Sequence, residues 1–476
     1  MMSDIDVVLR RLDETSDACL ERLFAFLRIP SISAQPAHAM DCQAAAEWLS
    51  ADLTSMGFAT EICPTGGHPV VLARRDGPAG APHVLFYGHY DVQPVDPLAL
   101  WDSPPFEPIL KKRPDGSEEI VARGAADDKG QVMTFVEACR ALIDVTGGLP
   151  VGVTFVIEGE EESGGEHLPG FLASRKDDLK ADIALICDTG MPGPGRPAIT
   201  AMLRGLCGEE VTIHASSCDL HSGMFGNAAR NPIEVLCHAL ASLRDRDTGR
   251  ITLPGFYDGV PDLPDTLRAQ WKEIGLDDAA ILGPFGLSEP GGEKGYTALE
   301  QIWARPTCEI NGITGGYAGD GFKTVLPAKA SAKVSFRLVG TQDPEKIRAE
   351  FRARIQAFLP SDCRAEFVAH GGSCASVVPD TLPALQLALG ALKDEWGVEA
   401  VVTGCGGSIP VVGDMQTILG LQSLLIGFGL DDDRIHSPNE KYDLSSFKKG
   451  ARSWVRVLQV LGHVTSEGLT ETGKKA

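Results

Sequence analysis

The stretch HVLFYGHYD at 83–91 decides the fold. Its first part, HVLFY, is an apolar run of strand length that barely alternates, the pattern of a strand covered on both faces. Gly88, His89 and Asp91 follow at once, so polar chemistry begins where the strand ends. The same style recurs at 69–74 (PVVLAR), 151–157 (VGVTFVI), 182–187 (DIALIC) and 421–428 (LQSLLIGF). Between these runs the apolar residues take helical spacing. One helix is predicted over the N-terminal segment, carrying Val8, Leu9, Leu12, Leu20, Leu23, Phe24 and Leu27. Others are predicted at 44–56, at 129–145, at 382–395, and over a closing segment with Phe447, Trp454, Val455, Leu458 and Leu461. Buried strands alternating with helices predict an α/β fold, a mostly parallel sheet with helices on both faces.

The middle of the chain has another rhythm. Segments 206–214 (LCGEEVTIH) and 331–338 (SAKVSFRL) alternate apolar and polar, as strands with one wet face do. Helical patterns follow at 232–245 and 343–358, and 252–300 is rich in Gly and Pro. These features predict a separate α+β unit. The expected domains are 1–205 and 381–476, together forming the α/β domain, with 206–380 inserted between them.

Of 476 residues, 43 are Lys or Arg and 65 are Asp or Glu, giving a net charge of −22. That balance excludes nucleic acid as the main partner, because phosphate backbones are bound by basic patches. Twelve cysteines are scattered with no C-x-x-C pair, which reads as a reducing compartment rather than a disulfide scaffold. The N-terminus lacks the features of a signal peptide, and no apolar run is long enough to cross a bilayer. The expectation is a cytoplasmic protein with no membrane partner.

Metal-type ligands gather just after the predicted strands. His89 and Asp91 follow HVLFY, Glu160, Glu161 and Glu162 follow VGVTFVI, Asp188 closes DIALICD, and His436 lies in DDDRIHSPNE. Asp127 and Asp128 open the helix at 129, where Asp128 is well placed to cap it. In open α/β sheets, ligands bind outside the carboxyl ends of the strands, so these groups converge on one edge. Unpaired, they would repel one another, and a pair of divalent cations removes the conflict. Mixed His and carboxylate donors suit zinc, and also manganese or cobalt. Adjacent Glu161 and Glu162 suit a division in which one binds metal and its neighbour takes a proton from water. Two other readings stay open: a binding protein that has lost its chemistry, and a single structural zinc.

The motifs GHYDVQP (88–94), RGAADDKG (123–130), EGEEESGG (158–165), DLHSGMFGNAARNP (219–232), GGSIP (406–410) and RIHSPNE (434–440) together resemble the two-metal aminoacylase/carnosinase/glutamate-carboxypeptidase family. That family includes acetylornithine deacetylase and succinyl-diaminopimelate desuccinylase, and the likeness is greatest to its cytosolic dipeptidase branch. The resemblance implies that His89 and Asp188 bind one metal, Glu162 and His436 the other, and Asp127 both. It implies a cis Asp127–Asp128 peptide and a catalytic set of Glu161, Asp91 and His221. Glu161 would activate a metal-bridged water, Asp91 would accept the far ring N–H of His89, and His221 would steady the oxyanion, reaching across from a partner subunit in dimeric relatives. Arg337 would grip the substrate carboxylate, and Thr324, Ser408 and Asn231 are further substrate-binding candidates. The inserted domain would serve as lid and dimerisation domain of a homodimer. Asp rather than Glu at 188 points to dipeptides or short peptides as substrates. The alternative is an N-acyl- or N-carbamoyl-amino-acid deacylase, acting on acylated amino acids with the same site.

Overall fold

The structure, a computed structural model, describes residues 4–407 and 409–470. The chain divides into two compact units. The first comprises 1–201, 378–403 and 414–476, and the second 202–377 and 404–413. The stretch 404–413 thus groups with the second unit, whereas the sequence patterns assign everything after 381 to the first.

The first unit is built on a sheet with strand order Ala59–Cys63, Val70–Arg75, Gly152–Glu158, His83–His89, Ile183–Ile186, Ser423–Leu425. The centre is parallel: His83–His89 runs with both Gly152–Glu158 and Ile183–Ile186, and Ser423–Leu425 runs with Ile183–Ile186. Val70–Arg75 is antiparallel to Gly152–Glu158, and Ala59–Cys63 to Val70–Arg75. The residues 76–82 that link Val70–Arg75 to His83–His89 are too few for a parallel crossover, which takes a dozen or more. Every residue of Gly152–Glu158 is buried, as its unbroken apolar run requires.

Helices Lys129–Thr146 and Leu444–Leu461 seal this sheet with aromatic rings. Phe86 stacks on Phe135 at 3.9 Å, and Trp454 meets Phe135 edge-on at 5.1 Å. Such pairs add about 0.5–1.5 kcal/mol beyond the area they bury.

Two elements depart from the sequence pattern. The N-terminal helix is two, Asp4–Glu14 and Ser16–Leu27. They break at Thr15, whose hydroxyl donates to the Arg11 carbonyl at 2.8 Å. The run 421–428 contributes only Ser423–Leu425 to the sheet. Beyond it Gly427 passes so close to Thr189 that a Cβ there would lie 1.9 Å from the Thr189 carbonyl oxygen. The chain then continues as a loop beside 189–190 instead of a longer strand.

The second unit is a four-stranded antiparallel sheet, ordered Thr307–Gly315, Lys329–Leu338, Gly205–His214, Arg364–Ser373. Strict burial alternation along Gly205–His214 matches its sequence. Its inward residues Val211, Ile213, Val334 and Phe336 pack on Leu236 and Leu240 of helix Pro232–Ala241 and on Phe351 and Ile355 of helix Pro344–Ala357. Burying each such side chain is worth about 1.5–3 kcal/mol.

Candidate metal centre

The carboxyl ends of the three central parallel strands share an edge, and each delivers a ligand-type side chain there. His89 is the last residue of its strand, Glu161 and Glu162 begin the turn just past Gly152–Glu158, and Asp188 lies two residues beyond Ile183–Ile186. Gly88 is required by the approach of helix Lys129–Thr146, since a Cβ there would sit 2.5 Å from Val132. Asp127 comes from the turn before that helix, across a cis Asp127–Asp128 peptide. His436 comes from the loop after Ser423–Leu425 and holds a left-handed backbone, φ 61°. Non-glycine residues pay conformational strain there, and such strain clusters at functional sites.

These five side chains meet in two overlapping trios. His89, Asp127 and Asp188 form one, and Asp127, Glu162 and His436 the other, with donor atoms in each within 4.8 Å of one another. One oxygen of Asp127 lies 3.0 Å from His89 Nε2, and its other oxygen 2.9 Å from His436 Nε2. His436 Nε2 is also 3.1 Å from Glu162, and His89 Nε2 is 4.0 Å from Asp188. The His89 ring is fully buried, whereas that of His436 is 52% exposed, so the cluster opens on the His436 side.

The electrostatics are those of crowded carboxylates around two imidazoles. Burial pushes Asp127 up, but hydrogen bonds from His436 and His89 win and hold it below the usual carboxylate range. Burial, then the Asp127 charge, pushes Asp188 up to about 7. Asp127 and then Glu162 raise His436 to about 10. Glu161 is raised by burial and then by Glu162, Asp127 and Asp91, with His89 opposing. The acids therefore compete for the protons and positive charge available, and cations relieve that competition. Two histidines and three carboxylates with one shared carboxylate also fit the donor chemistry of paired divalent ions.

Surrounding groups fix the cluster. The ring Nδ1 of His89 faces the backbone carbonyl of Asp91 at 3.0 Å and its carboxylate at 3.4 Å. The other Asp91 oxygen accepts the Glu162 N–H at 3.0 Å. Asp128 stands at the N-cap of helix Lys129–Thr146 but makes no capping bond, contrary to expectation. Its Oδ2 is instead drawn to the His89 N–H at 3.1 Å. Gln93, which the motif reading passes over, donates to Glu162 Oε2 at 2.8 Å. Its place in GHYDVQP was the available signal.

His221, Asn231, Thr324 and Arg337 lie in the second unit. His221 is exposed; its Nδ1 accepts the Gly223 N–H at 3.0 Å, and its Nε2 lies 3.5 Å from the Thr324 hydroxyl. Asn231 caps helix Pro232–Ala241, its Oδ1 accepting the Ile233 N–H at 3.0 Å. Arg337 lines a cavity of about 510 Å³ together with Arg204 and Ser335. Ser408 lies outside the described residues.

Residues 85–460 match the model of peptidase family M20/M25/M40. A Cys-Gly metallodipeptidase of Schizosaccharomyces pombe is 29% identical over 98% of this chain and 100% of its own. A cysteinylglycine-S-conjugate dipeptidase of Corynebacterium striatum is 31% identical over 86% of this chain and 88% of its own. The structure of an M20 family metallo-carboxypeptidase from Sulfolobus solfataricus superposes with a TM-score of 0.77 at 30% identity, covering 94% of this chain and 99% of that one. The chain therefore belongs to peptidase family M20/M25/M40.

Proposed function

We propose that this enzyme is a metal-dependent dipeptidase that hydrolyses the amide bond of dipeptides or other short peptides. The dipeptidase relatives support the substrate class, and the shared Asp127 at the junction of two donor trios is the observation that carries the mechanism. His89 and Asp188 would hold one divalent cation, Glu162 and His436 a second, and Asp127 both, with zinc the favoured ion. Bound there, the cations supply Lewis-acid polarisation and lower the pKa of water.

The chain's own groups do the rest. Glu161, raised by its buried surroundings, takes the proton of the attacking water and returns it to the leaving amine. Asp91 fixes the His89 ring at Nδ1, through its backbone carbonyl at 3.0 Å with its carboxylate close by at 3.4 Å. Because Nδ1 of His221 accepts from Gly223, its Nε2 carries the proton and is the donor available to an oxyanion. Arg337 offers a planar fork to the substrate carboxylate, and Thr324, Asn231 and Ser408 are its suggested companions. A homodimer is supported by Ile310 and Ile313, exposed on the edge strand Thr307–Gly315. Twelve free thiols suit a reducing cytoplasm, and among the described residues no helix is long and apolar enough to cross a membrane.

The test is Glu161→Gln on a panel of dipeptides, N-acetyl and N-carbamoyl amino acids. Turnover of dipeptides is expected to fall about 10²–10⁴-fold with metal content intact. Retained turnover refutes Glu161 as the base, and hydrolysis of acylated amino acids alone refutes the dipeptidase reading.

A further inference from the structure

Glu440 carries a fully buried carboxylate that the proposed chemistry does not use. It accepts four hydrogen bonds. Its Oε1 takes the backbone N–H groups of Ala126 at 2.9 Å and Asp127 at 3.1 Å. Its Oε2 takes the Gly124 N–H at 3.0 Å and Arg123 Nη1 at 2.7 Å. All four donors belong to the turn that presents Asp127. Glu440 itself sits four residues beyond His436 in the loop that presents that histidine. The same residue's carbonyl accepts the Ala122 N–H at 3.1 Å, so the two segments are joined on both sides of it.

We infer that Glu440 is a positioning residue: it locks the turn bearing Asp127 to the loop bearing His436 and thereby sets how tightly the site holds divalent cations. The inference rests on the proposed ligand set. An ion pair kept only for the fold would need Arg123 alone, yet three of the four donors are peptide groups of the Asp127 turn. The loop side is strained as well, with His436 and Asn439 both near φ 61°. A left-handed backbone at two non-glycine residues persists only where surrounding bonds enforce it. The geometry also dictates what glutamine does in this place. Each oxygen serves two donors, so an amide satisfies one pair and sets its own NH₂ against the other.

The experiment compares Glu440→Gln with Glu395→Gln. Glu395, in the same unit, also has a shielded carboxylate, its side chain 3% exposed, and accepts from Arg452 at 2.6 Å and Arg456 at 2.8 Å, neither of them a residue of the site. Zinc affinity is measured for both by competition with a chromophoric chelator, alongside thermal unfolding. Glu440→Gln is expected to weaken zinc binding about 10–100-fold, as loss of a ligand-orienting partner does. Glu395→Gln is expected to lower stability without moving zinc affinity. Equal zinc affinity in wild type and Glu440→Gln, or equal weakening in both variants, overturns the inference and leaves the ligand set standing. A wild-type protein that binds no divalent cation sinks the ligand set and the inference with it. Hydrogen exchange on metal-free wild type decides the matter if Glu440→Gln does not fold. The amides of Gly124, Ala126 and Asp127 are expected to exchange as slowly as those of the central strands, and exchange at the rate of an open loop overturns the proposal.

Discussion

His89 and His221 are both singled out by motifs, and they live in opposite surroundings. In the first unit, His89 is fully buried, meets Asp127 through one ring nitrogen and Asp91 through the other, and has its backbone N–H held by Asp128. In the second unit, His221 is exposed, and its ring is steadied by one backbone N–H and a long approach to Thr324. The contrast separates the two kinds of role proposed for these residues. A ligand cluster of like charges must be held by its scaffold before anything binds, because relaxation would scatter it. A group that only meets developing charge during reaction needs a tautomer and a place, and an exposed loop supplies both.

The comparison breaks most sharply at Asp127. Because it belongs to both trios, Asp127→Ala is expected to abolish tight binding at both cation positions and to reduce kcat/KM by more than about 10³-fold. Metal analysis after gel filtration and steady-state kinetics check this. Retention of two ions per chain would show that the trios are not one site, and the distinction between units would lose its basis. By contrast, His221→Ala is expected to lower kcat by about 10²–10³-fold, the usual cost of one oxyanion donor, with metal content unchanged. Loss of metal in that variant would erase the distinction from the other side.

How much of this was legible follows the same division. The unbroken apolar runs announced buried strands, and the rule that parallel strands share a carboxyl edge was enough to gather His89, Asp91, Glu160, Glu161, Glu162 and Asp188 there, while the resemblance alone divided their roles. What the patterns hid was direction and partnership. Nothing in PVVLAR distinguishes a strand antiparallel to its neighbour from a parallel one; the short link before His83 does. Asp128 reads as a helix cap because Asp favours that position, but a stronger claim on its carboxylate, the His89 N–H, comes from another segment. Asn231 shows the reverse. The Asn-Pro pair at 231–232 is a helix-start signature in its own right, and the structure uses it so. The substrate contacts proposed for the second unit leave no trace in burial or periodicity, which is why only the resemblance nominates them.

A third histidine sharpens the comparison within a single strand. His83 begins the strand that His89 ends, and its Nε2 lies 2.7 Å from the Thr154 hydroxyl. Burial, then the charge of Arg74, holds its pKa below the ordinary value of 6.5, with Asp76 and Asp182 opposing. His83 therefore binds a proton less readily in the fold than in the unfolded chain, where an imidazole titrates near pH 6.5. Its contribution to stability is complete above that pH and is lost as pH falls from there through the folded-state value. His83→Gln keeps a partner for Thr154 and removes the titration, so the variant should lose less stability than wild type between pH 8 and pH 5.5. Urea midpoints at the two pH values measure this, and comparing the two proteins cancels titrations elsewhere, the metal cluster included. Parallel pH curves for wild type and variant would mean that His83 is protonated as easily in the fold as outside it. The strand would then no longer carry an imidazole that resists protonation at one end and a charge-paired one at the other.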